Sequence, residues 1–141
     1  MKIKLTTDYA VRVIYSMYNS EYEVITSNSI AKKELIPHGV LMKVLKQLRE
    51  GGVIASHQGR GEVSGGYTLA KSLKQITILE IVEIMEGPIA LEEVRKKTAK
   101  NTENIEDNGL LLEYQRVGES LRSEMKKRTL YDILNEKARK R

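Results

Sequence analysis

A chain of 141 residues, 40% hydrophobic and 30% charged, has room for one domain with a modest core and not for two full ones. It contains no cysteine, which excludes a disulfide, a thiolate nucleophile and a thiolate metal ligand. The net charge of +5 fits a nucleic-acid partner, but residues 1–70 hold 9 basic and 6 acidic side chains and residues 71–141 hold 15 and 13, so bulk charge singles out neither half.

After an extended lead from Lys2 to Leu5, Thr6 or Thr7 is expected to cap a first helix, with Asp8 in its first turn where the helix dipole favours an acid. Ala10, Val13, Ile14 and Met17 recur at helical spacing as far as about Tyr18. Ser27 or Asn28 caps a second helix that turns Ile30, Ala31 and Leu35 inward. Its Lys32 and Lys33 face outward, either onto a phosphate backbone or into solvent. Pro37 suits the first position of a third helix, where its missing N–H costs nothing.

In that third helix Leu41, Val44, Leu45 and Leu48 fall at i, i+3, i+4 and i+7 and form one apolar stripe. Projection at about 100° per residue leaves Gly39, Lys43 and Lys46 opposite the stripe, with His38 and Met42 on its flank. Gly51 and Gly52 end the helix. Val53, Ile54 and Ala55 run into the loop QGRGEVSGG, and Tyr67, Thr68 and Leu69 return from it as a hairpin with a basic tip.

Thr77 with Glu80 three residues on reads as a capping box, opening a helix whose Ile78, Ile81, Val82 and Met85 share a face until Gly87 and Pro88. Residues 89–109 are polar and rich in Asn and Thr, as in a linker. Leu110, Tyr114, Val117, Leu121 and Met125 then recur close to every 3.5 residues, a narrow seam on a long charged helix. Such a seam wants a second subunit or, alternatively, the chain's own preceding domain. Thr129 caps a last short helix that docks back through Leu130, Ile133 and Leu134, and the terminal KARKR reads as a solvated tail. No stretch approaches the roughly 18 apolar residues of a membrane span, and the first residues lack a signal peptide's apolar run, so no membrane partner and a cytoplasmic location are expected.

Helix, turn, helix and hairpin in this order make a winged helix-turn-helix. Five pieces stand in register: LTTDYAVR at 5–12, SIA at 29–31, the LxxxLxxLRxGG pattern from Leu41 to Gly52, GGY at 65–67 and EGPI at 86–89. In these the chain resembles the Rrf-two family of bacterial transcription regulators. The resemblance implies a mainly α fold with a small β-hairpin. Its parts would be a winged helix-turn-helix DNA-binding domain over 1–88, a linker over 89–109, and a dimerisation helix with a short C-terminal helix over 110–141. It places contacts to double-stranded DNA at His38, Gly39, Met42, Lys43 and Lys46, where Lys43 donates to guanine O6 and N7 and Met42 touches a thymine methyl.

Relatives often carry an acid and an amide where Met42 and Lys43 stand, so a different target sequence is expected. Arg60, between Gly59 and Gly61, is expected to enter a minor groove, one position beyond the family's Arg-Gly pair and on a longer loop; a disordered tip is the alternative. Cluster-binding relatives take three cysteines from the 89–109 segment, and the nitric-oxide-sensing branch adds an acid that Asp8 matches. With no cysteine present that role is not expected of Asp8, and no cofactor or metal is expected. The family pairs its long C-terminal helices in an antiparallel homodimer, with which the seam from Leu110 to Met125 agrees.

Three functional classes are weighed: a homodimeric sequence-specific repressor on a palindromic operator, a winged protein-interaction module, and an enzyme. The enzyme is excluded by the absence of cysteine, of a phosphate-binding loop and of a His-centred triad, with Glu92 and Glu93 lacking any base near them in sequence. An interaction module has no need of Lys43, Lys46 and Arg60 together on exposed elements. Control by a small molecule or by a partner enzyme is left open.

Overall fold

The computed structural model describes residues 2–61, 65–89 and 109–139. Helix α1 (Leu5–Tyr18) buries Thr7, Ala10, Val13, Ile14, Ser16 and Met17. Its cap differs from expectation: Lys4 holds the capping position and no side chain of its own segment caps it. The carboxylate of Glu86 does so from a distance, accepting from the Lys4 N–H at 2.6 Å and the Thr7 hydroxyl at 2.7 Å. Thr7 is therefore turned inward to the end of another helix instead of capping its own.

Thr26, not Ser27 or Asn28, caps α2 (Ser27–Glu34), its Oγ1 accepting from the Ser29 N–H at 3.2 Å. Leu35 does not face inward. It ends the helix in the left-handed region at φ 55° and ψ 44°, 85% exposed, while the next residue, Ile36, takes the buried place at 3%. Arg12 of α1 closes this corner: its guanidinium donates to the Glu34 carbonyl, lies 3.6 Å from the Glu34 carboxylate and sits 5.4 Å over the Tyr9 ring.

Pro37 is the residue before α3 (His38–Glu50), one position earlier than expected. The stripe of Leu41, Val44, Leu45 and Leu48 is buried as its spacing requires. Gly52 turns the chain at φ 77°, a backbone angle that side-chain-bearing residues avoid.

Strands β1 (Ile54–His57) and β2 (Gly66–Leu69) pair antiparallel, with Ser56 opposite Tyr67 and His57 opposite Gly66. A single bridging residue not foreseen in the sequence, Ile25, flanks them. Ile25 exchanges both backbone hydrogen bonds with Tyr67, at 3.0 and 2.8 Å. This explains the second glycine of the GGY piece, because a Cβ on Gly66 would lie 2.5 Å from the Ile25 carbonyl oxygen.

A single 3₁₀ turn, Leu73–Gln75, carries a reciprocal capping box between Ser72 and Gln75. At α4 (Ile78–Glu86) the expected box is half made: Thr77 Oγ1 accepts from the Glu80 N–H at 3.1 Å, but the Glu80 carboxylate takes Lys71 Nζ at 2.6 Å. The expected linker begins with a buried Ile89, and its residues 90–108 lie outside the described residues, as do wing-tip residues 62–64.

Two long elements complete the chain, α5 (Leu110–Lys126) and α6 (Leu130–Arg139). As expected, Thr129 caps α6, exchanging hydrogen bonds with Asp132 at 3.1 Å each way. Leu130 is 2% exposed, its N–H donates to the Ile76 carbonyl and its own carbonyl accepts from the Tyr15 hydroxyl at 3.0 Å. The main core gathers side chains from α1, α2, α3, β1, the 3₁₀ turn, α4 and α6. α4 also lies between two layers, with Ile81 and Met85 in that core and Leu79 and Val82 in a second cluster with Ile89, Leu121 and Met125.

Candidate nucleic-acid interface

Burial of the α3 stripe fixes the rotation of the helix and so decides what faces out. His38, Gly39, Met42, Lys43, Lys46 and Arg49 are all exposed. A side chain at Gly39 would meet only open space, so the backbone there is accessible to a close partner. Among the described residues Lys43, Lys46 and Arg49 make no ion pair, while seven other cations do, on Lys4, Arg12, Lys71, Arg116, Arg122, Lys127 and Arg128. Three neighbouring cations outnumber the one carboxylate of this face, Glu50, and the excess raises the local positive potential, which attracts an anion.

Between α3 and β2 lies a groove of about 340 Å³ lined by Met42, Lys43, Leu45, Lys46, Arg49 and Tyr67. It unites three of the expected site residues, Met42, Lys43 and Lys46, with two that sequence reasoning missed. Arg49 stands seven residues after Met42, two turns along the same side, so the signal was present in the periodicity. Tyr67 is legible in the sequence as a residue of the returning hairpin strand and of GGY, but its place beside α3 depends on the pairing of β2 with Ile25 and β1.

The remaining expected residues do not line this groove. Lys32 and Lys33 are exposed in the last turn of α2, and Arg60 is exposed near the tip of the wing. His57 Nε2 and Thr68 Oγ1 lie 2.8 Å apart across the hairpin, which ties β1 to β2. On α5 the seam is divided. Leu121 and Met125 pack with Leu79 and Val82 of α4, whereas Leu110 and Val117 are 43% and 44% exposed and the off-seam Leu112 is 68% exposed.

A family model described as Rrf2, iron-dependent transcriptional regulator, matches residues 3–136. Iron does not fit the donors described here. The sequence supplies no thiolate, Asp8 stands on the first turn of α1, and among the described residues no three His, Asp or Glu side chains gather into a possible metal site.

Among curated proteins, the chain is 40% identical over 68 residues to an rrf2-like HTH-type transcriptional regulator of Rhodobacter capsulatus, a match covering 48% of this chain and 43% of that one. It is 30% identical over 95 residues to the HTH-type transcriptional regulator CymR of Bacillus subtilis, covering 67% of each. The chain spans about half the length of the first curated relatives it matches. The solved structure of B. subtilis CymR, the global cysteine regulator, superposes with a TM-score of 0.66 at 24% identity over 94% of this chain and 95% of that one. IscR of T. potens superposes at 0.65 with 21% identity over 96% and 88%, so both share the winged fold. Among the described residues no helix is long and apolar enough to cross a membrane. By the match over nearly its whole length, the chain belongs to the Rrf2 family of transcriptional regulators.

Proposed function

We propose that this protein is a homodimeric, sequence-specific repressor that binds a palindromic operator in double-stranded DNA, acts in the cytoplasm and does not sense through a cysteine-ligated iron-sulfur cluster. The recognition helix over 37–50 enters a major groove and the wing over 58–66 the adjacent minor groove. The observation that carries this is the outer face of α3: its apolar side is consumed by the core, and the side left over offers Lys43, Lys46 and Arg49, none of them in an ion pair among the described residues, against the single carboxylate of Glu50 at the end of the helix.

Within that face, Lys43 reads guanine O6 and N7 and Met42 and Gly39 lie close to base edges, while His38, Lys46, Lys32, Lys33 and Arg60 hold phosphates or the minor groove. Two subunits, joined through the α5 seam of Leu110, Tyr114, Val117, Leu121 and Met125, set half-sites about one helical turn apart. An occupied operator excludes other proteins from the same DNA, so repression needs no further surface.

The test is selection of bound sequences from random duplexes, with Lys43→Ala alongside the parent. The expected product is an inverted repeat, and Lys43→Ala relaxes preference at one base position by about 1–3 kcal/mol. A parent that enriches no sequence, or whose affinity is indifferent to salt, overturns the reading.

A further inference from the structure

The groove beside α3 has a composition that base reading alone does not need. Taking about 100° per residue, Lys43 and Lys46 point roughly 150° away from the midline of the buried stripe, whereas Met42 and Arg49 lie roughly 100° from it. The first pair crowns the helix. The second pair forms one wall of the groove, and Tyr67 of β2 stands in the other. The result is a channel with an apolar lining from Met42, Leu45 and Tyr67 and a cationic edge from Lys46 and Arg49.

With the helix in a major groove and the wing in the neighbouring minor groove, the one part of the duplex that must pass between them is a sugar-phosphate strand. The channel lies between those two elements. We propose that it seats that strand: Arg49 clamps a phosphate from the last turn of α3, Lys46 lies about 4.5 Å along the helix axis from it to meet a neighbouring phosphate, and Tyr67 gives the apolar wall that faces the sugars, while Met42 marks the end of the channel where the bases begin. A planar guanidinium suits this position because it takes a phosphate through two parallel hydrogen bonds.

This rests on the DNA-binding reading and divides its residues by task. Lys43 selects sequence; Arg49 sets register and affinity without selecting. The competing explanation for Arg49 is that a cation near a helix C-terminus complements the dipole, which affects stability and not DNA.

The experiment titrates the full chain with a duplex recovered by the selection above, across a series of salt concentrations. Arg49→Gln is expected to lower the slope of log affinity against log salt by about 1.8, roughly 0.9 for the phosphate lost from each subunit of the dimer, while weakening all sequences alike, and Arg49→Lys to retain the slope. The inference is overturned if Arg49→Gln keeps the parent's slope and affinity, since only the dipole role then remains. It is equally overturned if Arg49→Gln changes preference at a single base pair, because Arg49 is then a reader. Either result in a parent that binds DNA leaves the wider reading standing, whereas a parent that binds no duplex removes both.

Discussion

In α3 all four stripe residues are buried and the outward cations make no ion pair among the described residues. α5 is the reverse. It pairs Arg116 with Glu113 at 2.9 Å, Arg122 with Glu83 at 2.7 Å and, at its end, Lys127 with Glu124 at 2.7 Å, yet leaves Leu112 and Val117 well exposed. Exposed ion pairs of this kind contribute about 0–1 kcal/mol each, so their value to α5 lies more in keeping its charged faces soluble than in holding it down. The contrast teaches what each helix lacks: α3 is finished as packing and open as charge, and α5 is finished as charge and open as packing. An anion satisfies the first, and a second apolar surface satisfies the second.

Truncating one apolar residue on each helix gives the widest separation. Leu48→Ala opens a cavity in the main core and is expected to cost about 2–5 kcal/mol in urea unfolding, whatever the protein concentration. Val117→Glu removes no core contact and is expected to leave the subunit folded, while raising the dimer dissociation constant at least about tenfold in sedimentation. If Val117→Glu instead unfolds the subunit, or if the parent sediments as a single chain, α5 does not meet a second copy through this face.

Much of this contrast was legible in the sequence because it depends on local periodicity. The α3 stripe, the α6 contacts of Leu130, Ile133 and Leu134 and the Thr129 cap all follow from spacing within one helix. What was misread depends on partners far along the chain. Thr7 looked like a local cap, but Glu86 lies 79 residues away and takes its hydroxyl. The bridge at Ile25 is a single residue with no alternating pattern to announce it. Leu35 looked like a core residue because a hydrophobic side chain at the end of a helix usually packs, and only the left-handed turn that follows α2 throws it outward. At the candidate site the cations of α3 were readable one by one; the groove they share with Tyr67 required the sheet.

A smaller effect probes α4, the layer on which α5 packs and which the main core shares. Burial pushes the Glu86 carboxyl up, but the Lys4 N–H, the Thr7 hydroxyl and the Lys4 charge together outweigh it and hold its pKa below the ordinary carboxylate value. The folded state therefore prefers ionised Glu86. Its contribution is fully present above the unfolded pKa of about 4.3 and is lost as pH falls through the lower folded value. Glu86→Gln is expected to cost about 1 kcal/mol at neutral pH and to flatten the fall in stability on the acid side, read by urea midpoints across that range. An unchanged acid profile in the variant removes Glu86 as the tie between α4 and α1.

The smallest effect decides whether α3's neighbourhood also has an apolar demand of the α5 kind. Leu35 sits in the turn before α3, exposed and at φ 55°. The left-handed region costs a side-chain-bearing residue about 1–2 kcal/mol, and glycine relieves that while giving back roughly 0.5–1 kcal/mol of chain entropy in the unfolded state. Almost no burial is lost on removing the side chain, so Leu35→Gly is expected to raise stability by about 0.5 kcal/mol. Measured together with DNA affinity, the same variant separates two origins of the leucine. Raised stability with unchanged affinity makes it a tolerated strain at the turn. Raised stability with a weakened complex means that the strain holds an apolar side chain against the duplex, and the open demand beside α3 is then for a methyl-rich base step as well as for phosphate.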